Sequence, residues 1–587
     1  MTEKTGIFLP VSEVFPDMQS DFETFKSLLF SLSLTDTLFW CGRLNLIISD
    51  PESDHLTKQQ AGLSQFFTPE EINKVNDFVK KNGGVQEVTI FFRGQLLELI
   101  RWVVLFCSDF PEDGTTFEDP IIRRNFAKAV LIASDIWSNR IFGNRFSSEG
   151  DQTIARKRAL GAIRKSIEGT ARAHYLIESL GRGWHLFSEF KKYYKPFEGE
   201  FQKETDLSIE EYYCCLAAIA VNFTNPKIKS GLMNVREMDN STLYGSALKK
   251  FINLESQTVD ELKPALWGNT TASNLDNSAI PDFNYLPIRE KPIFRTKDGR
   301  AIILDPVFYA EKMTVGPLFL LPREKREEAF TCFGKAFEDY VCSILGRMFP
   351  DLSGVTNKRL TCNISGKDQD GQVFEIDACL NDLTEVVLFE VKTGFIREEN
   401  ILDDDYERFL KELRKKYVEG PDGNKGIGQL VRLIQILASK KWLGENQEFD
   451  QVKRIYPVIV VHDSLVSAPV YGQFFASEFL RLLIPNTITQ VGECTKRELN
   501  ITLPIVITIN DLENLETSIE HFGFRDLLSD YSKSCPDRVE SLHNFIASSR
   551  YKKHMYHNRH TATSSIDIIE KGKKAFSPDV NDSADST

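Results

Sequence analysis

Between Phe374 and Gly394 the chain reads FEIDACLNDLTEVVLFEVKTG, two strand-like runs joined by four mostly polar residues. VVLFEV is apolar on both faces, the pattern of a strand covered from both sides, and unpaired charge is costly in such a strand. Asp377, Glu390 and Lys392 nevertheless stand inside these runs. With the midpoint of a hairpin between Leu383 and Thr384, opposite residues have numbers that sum to 767, and Asp377 and Glu390 satisfy that sum. Directly opposed residues have Cβ atoms about 5 Å apart. Strand alternation puts Lys392, two residues beyond Glu390, on the same face. The spacing therefore predicts two carboxylates and an ammonium on one patch.

Close carboxylates repel unless a positive group lies between them. A hard divalent cation meets that need, since Mg²⁺ is held by one or two carboxylates and keeps several waters. Such an ion activates water and stabilises charge on a phosphate, with Lys392 beside the water. An inter-strand salt bridge without metal is the simpler alternative for the same three residues.

Around this stretch the order is helix, strands, helix, strand, strand. Phe333, Phe337, Tyr340, Val341, Ile344, Leu345 and Met348 form one apolar helix stripe, while RIYPVIVV and LPIVITI read as buried strands. Before it, segments such as QLLELIRWVVLFCSDF and IEEYYCCLAAIAVNF space their apolar residues for helices. Asn, Ser, Thr and Pro gather between Leu266 and Pro292, and PIFRTKDGRAIILDP then carries a hairpin signal at Asp298-Gly299. The expected fold class is mixed, a mainly α-helical N-terminal half followed by an α/β domain with a central mixed sheet. The expected boundaries are a helical domain over 1–265, a linker and hairpin over 266–322, the α/β domain over 323–530, and a C-terminal helix with a disordered polar tail over 531–587. A chain of 587 residues is too long for one core.

Asp377 followed by Glu390-Val391-Lys392 at the end of an apolar strand resembles the PD-(D/E)XK, or restriction-endonuclease-like, nuclease superfamily. FGKAFEDYVCSIL resembles the family's first helix, whose Glu, here Glu338, joins the metal site. Gln429 in GIGQLVRLI matches a Gln on the family's following helix. Leu433 stands where the Q-x-x-x-Y branch has Tyr, and Ile376 where the family has Pro. The resemblance spans about 323–529. It implies a restriction-endonuclease-like domain acting as an Mg²⁺- or Mn²⁺-dependent endonuclease. Asp377, Glu390, Glu338 and the carbonyl of Val391 would be metal ligands, Lys392 would act on water, and Gln429 would support the site. It further implies nucleic acid as substrate, DNA before RNA, and a role in prokaryotic restriction or antiviral defence. The alternatives are a ribonuclease, or an inactive nuclease-like module that binds nucleic acid or assembles.

The net charge of −13 excludes a protein that coats nucleic acid over its whole surface, but not a local basic groove. From Arg156 to Lys195, ten Lys and Arg face three acids and are interleaved with Tyr175, Trp184, Tyr193 and Tyr194. Arg156, Lys157, Arg158, Arg164 and Lys165 are the candidate phosphate contacts there; a solvated helix face is the plain alternative. The helical half is left to recognise a substrate, a trigger or a partner protein, or to build a homo-oligomer. Ten scattered cysteines without a CxxC pair argue against zinc or a disulfide scaffold. No run approaches about 18 apolar residues and the N-terminus lacks a leader pattern, so no membrane partner and a cytoplasmic location are expected. No Walker motif supports an ATPase.

Overall fold

The computed structural model describes residues 7–49, 55–84, 88–107, 119–142, 176–224, 233–234, 245–267, 284–350, 358–367, 371, 373–394, 406–419, 425–438, 449, 451–489, 499–555 and 558–576. Arg156, Lys157, Arg158, Arg164 and Lys165 lie outside these, as do residues 268–283 of the expected linker and the tail from 577. The fold is mixed, with a mostly helical N-terminal half and a mixed sheet in the C-terminal region. The chain forms two compact units, one of residues 1–185, 196–326 and 560–587, the other of 186–195 and 327–559. No helix among the described residues is long and apolar enough to cross a membrane.

In the first unit the helix Arg93–Phe106 is buried nearly all round, including Trp102 and Arg101. Arg101 is tolerated there because it pairs with Glu98 at 2.9 Å, and Trp102 donates to the same carboxylate. Arg93 likewise meets Asp305 at 2.8 Å in the interior. Ile293–Arg295 and Arg300–Ile303 form an antiparallel hairpin around Gly299, whose φ of 87° suits glycine.

The second unit contains the expected sheet. The last turns of helix α1 (Leu176–Tyr193) and the two residues after it, 186–195 together, belong to it, and helix α2 (Arg326–Met348) turns Phe333, Phe337, Tyr340, Val341, Ile344 and Leu345 inward. Then come β1 (Lys358–Lys367), β2 (Val373–Asp382) and β3 (Glu385–Lys392), followed by helix α3 (Ile427–Ala438), β4 (Arg454–Val461), β5 (Asn500–Ile501), β6 (Ile505–Thr508) and helix α4 (Ile509–Ser518). The strand order is β5-β4-β3-β2-β1, with β6 also pairing β4. β1, β2 and β3 are antiparallel neighbours, whereas β3, β4, β5 and β6 run parallel. A parallel step from β3 to β4 needs a long crossover, and residues 393–453 supply it, with α3 packed on β2, β3 and β4. β3 is central and buried on both faces, which explains VVLFEV.

The loop between β2 and β3 is only Leu383-Thr384, and Leu383 takes a φ of 54°. Two-residue hairpin loops favour such left-handed residues, although Leu is an uncommon occupant.

Candidate metal centre at the end of β3

β2 and β3 pair in the expected register, from Asp382↔Glu385 to Ala378↔Phe389. The ladder stops one step before Asp377 and Glu390, where the Asp377 side chain intervenes. Its Oδ2 accepts the Val391 N–H at 2.6 Å, in place of a backbone partner. The β1–β2 ladder is interrupted at the same level, between Cys362↔Ala378 and Ile364↔Ile376. The residue of β1 left between those pairs, Asn363, has a φ of 53°. Asn is among the few residues that tolerate this conformation, and such breaks re-aim a strand and its side chains. β3 keeps its ladder with β4 throughout, ending at Glu390↔Ile459 and Lys392↔Val461.

Burial and charge define the chemistry. Glu390 is 1% exposed, and the Lys392 ammonium abuts its Oε1 as an ion pair. The Lys392 side chain is 20% exposed. Burial pushes the Glu390 carboxyl up to about 8; Lys392 pulls it down, and Asp377 and Glu338 push it further up. Burial also raises Asp377, against the pull of Lys392 and the Val391 N–H. Glu338 is pushed up to about 7 by burial and the nearby Asp377 charge. Burial alone would lower Lys392, yet Glu390, Asp377 and Glu338 hold it above its usual range. Three acids thus share one ammonium, and the raised carboxyls register burial first and the neighbouring negative charge second.

α2 brings in Glu338. One turn further on, Cys342 Sγ lies 3.5 Å from the Asp377 carbonyl, which seats the helix beside that point of β2. Gln429 of α3 donates to the Glu375 carbonyl at 2.9 Å, so it grips the strand two residues before Asp377 and touches none of the acids. Glu375 itself is exposed. The structure therefore brings Asp377, Glu390, Lys392 and Glu338 together, puts Val391 under the Asp377 carboxylate, and sets Gln429 behind the strand. Compared with family models, curated proteins and solved structures, the chain matches none.

Among the described residues no three His, Cys, Asp or Glu side chains are grouped as a ready metal cage. Glu390 is engaged by Lys392 and Asp377 by the Val391 N–H. The donor set nevertheless suits a hard cation, with buried Glu390 and half-buried Asp377 on neighbouring strands and Asp377 hydrogen-bonded through Oδ2. A divalent ion and Lys392 are alternative ways of neutralising the same carboxylate.

Two neighbours escaped the sequence reading. Asn363 carries no signal beyond being an Asn within a strand. Tyr193 donates a hydrogen bond to Asp339, the residue after Glu338, and belongs to the basic aromatic tract already conspicuous in the sequence. The small cavity bordered by Ser467, Gly472, Tyr531 and Arg538 involves none of these residues, and the Arg538 guanidinium is taken up by the carbonyls of Pro504, Cys535 and Leu503.

Proposed function

We propose that the second unit is a metal-dependent nuclease of PD-(D/E)XK type, hydrolysing phosphodiester bonds, with DNA as the preferred substrate. The observation that carries this reading is the convergence of Asp377, Glu390 and Glu338 on Lys392 where β3 parts from β2. Asp377 and Glu390, with Glu338 beside them, are the residues that would hold Mg²⁺ or Mn²⁺. When bound, the ion supplies an acidified water and neutralises charge on the phosphate. Asp377, fixed by the Val391 N–H, orients its free oxygen. Glu390, with β3 locked to β4, presents a carboxylate in a rigid, nearly dry setting. Lys392, once Glu390 is otherwise neutralised, keeps a proton on Nζ with which to orient water or a phosphate oxygen. Glu338, held near neutral pH by its surroundings, accepts or yields a proton close by.

A second reading, a nuclease-like module that binds nucleic acid or assembles without cutting, is favoured by the ion pair that closes Glu390. The two are separated by incubating the full chain with plasmid, linear duplex, single-stranded DNA and RNA in Mg²⁺, Mn²⁺ or EDTA, beside Lys392→Ala. Cleavage that needs the metal and Lys392 is expected. Cleavage surviving EDTA or Lys392→Ala refutes the nuclease proposal, and binding without cleavage supports the second reading. RNA cut in preference to DNA would reassign the substrate.

A further inference from the structure

Residues 186–195 are separated from α2 by more than a hundred positions, yet they belong to the second unit. Phe187 and Phe190 pack on Phe333 with ring centroids 5.9 and 6.1 Å apart, and Phe190 stacks on Tyr194. The Cys332 thiol donates to the Tyr193 carbonyl at 3.6 Å. This anchoring sets Tyr193 beside Asp339 and within the field of Glu338. Tyr193 is 39% exposed, and among the described residues no other ring or cation is stacked on it. Lys192, paired with Glu189, keeps 62% of its side chain in solvent. Lys195 is exposed and has no ion-pair partner among the described residues.

An anchored, solvent-exposed aromatic residue flanked by exposed lysines next to a carboxylate cluster has a specific chemical complement. A base offers a π-face to the ring, and its phosphates meet the lysines. A paired base in a duplex has its faces covered by its neighbours, so the aromatic contact selects an unpaired strand.

We infer that Tyr193, with Lys192 and Lys195, forms a platform on which an unpaired nucleic-acid strand lies beside the carboxylate site. This inference rests on the nuclease reading for the role of the neighbouring acids, but concerns binding rather than cleavage. Tyr193 is a positioning residue in this scheme. The packing of Phe190 and Tyr194 around it holds the segment in place, and the Tyr193 ring carries the base.

The test is fluorescence anisotropy of a labelled single-stranded mixed-sequence oligonucleotide with the full chain in EDTA, so that nothing is cut. Tyr193→Ala weakens binding about tenfold by loss of stacking, whereas Tyr193→Phe, which keeps the ring and loses the hydroxyl, stays close to wild type. Lys192→Ala combined with Lys195→Ala lowers the slope of log affinity against log salt by about 1.4, at about 0.7 per phosphate contact on a single strand. Thermal melts identify variants that fold as wild type. The inference is overturned if Tyr193→Ala binds like wild type, if Tyr193→Phe loses as much as Tyr193→Ala, or if a blunt duplex binds equally well with the same dependence on Tyr193. If no metal yields cleavage while the Tyr193 effect persists, the nuclease reading fails and the platform stands. If Lys392-dependent cleavage is present without the Tyr193 effect, the platform alone fails.

Discussion

Replacing Glu390 by Gln tests the electrostatics of the site through stability alone. The Glu390 carboxyl titrates near 8 in the folded chain, against an ordinary value of 4.5. Between those pH values the folded chain holds a proton that the unfolded chain has released. The associated stability is complete below about pH 4.5 and is lost as pH rises through 8. At 1.36 kcal/mol per unit of displacement, the loss from this buried group reaches at most about 5 kcal/mol. Glu338, displaced in the same direction to about 7, adds to the trend. A divalent cation competes with those protons, so it stabilises most at high pH. Mn²⁺ at a hundred times its dissociation constant contributes about 2.7 kcal/mol, or roughly 5–10 °C in melting temperature for a unit of this size. The assay is thermal melting from pH 5 to 9 in EDTA and in Mn²⁺. In EDTA the wild-type midpoint falls as pH rises, Mn²⁺ restores it at pH 8, and the restoration disappears at pH 5. In Glu390→Gln the pH slope flattens and the Mn²⁺ shift is lost. An Mn²⁺ shift of equal size in Glu390→Gln, or a wild-type profile as flat as the variant's, would refute the reasoning.

Gly426 has a φ of 51°, and a Cβ there would lie 1.9 Å from the Tyr417 carbonyl oxygen. Gly426→Ala should therefore cost about 2 kcal/mol or more, read as a lower melting temperature. Gln429→Ala removes one side-chain bond to β2 and should cost about 1 kcal/mol; a fall in the cleavage rate well beyond that loss would mark a positioning role. Arg525 meets Asp382 at 3.0 Å and Glu385 at 3.2 Å, at the hairpin end of β2 and β3. Because it is 36% exposed, Arg525→Ala should cost at most about 1 kcal/mol in urea unfolding, and less at high salt.

The hairpin register was legible because charges inside apolar strands leave few acceptable alignments, and the 767 pairing reproduces the ladder from Ala378 to Asp382. The stripe on α2 was legible for the same reason, with Phe333 to Leu345 buried as their spacing predicts. What escaped depends on contacts made through space. Nothing in FEIDACL says that Asp377 will take the Val391 N–H, or that Asn363 across the sheet will enter a left-handed conformation. The turn gave little warning, since Leu383-Thr384 lacks the Gly or Asn usual in such loops. The engagement of Glu390 by Lys392 reflects a balance of desolvation and pairing that residue types alone do not set.

The discontinuous make-up of the second unit bears on inheritance and engineering. Phe333 of α2 finds its aromatic neighbours in Phe187 and Phe190, delivered by a stretch of chain that otherwise serves the first unit. A fragment beginning at Glu327 would leave that apolar surface bare and would lose Tyr193 with it. The second unit is thus no portable cassette. Recombination or truncation that respects only linear order would deliver an unstable, aggregation-prone piece, and the two halves of the chain are obliged to travel together.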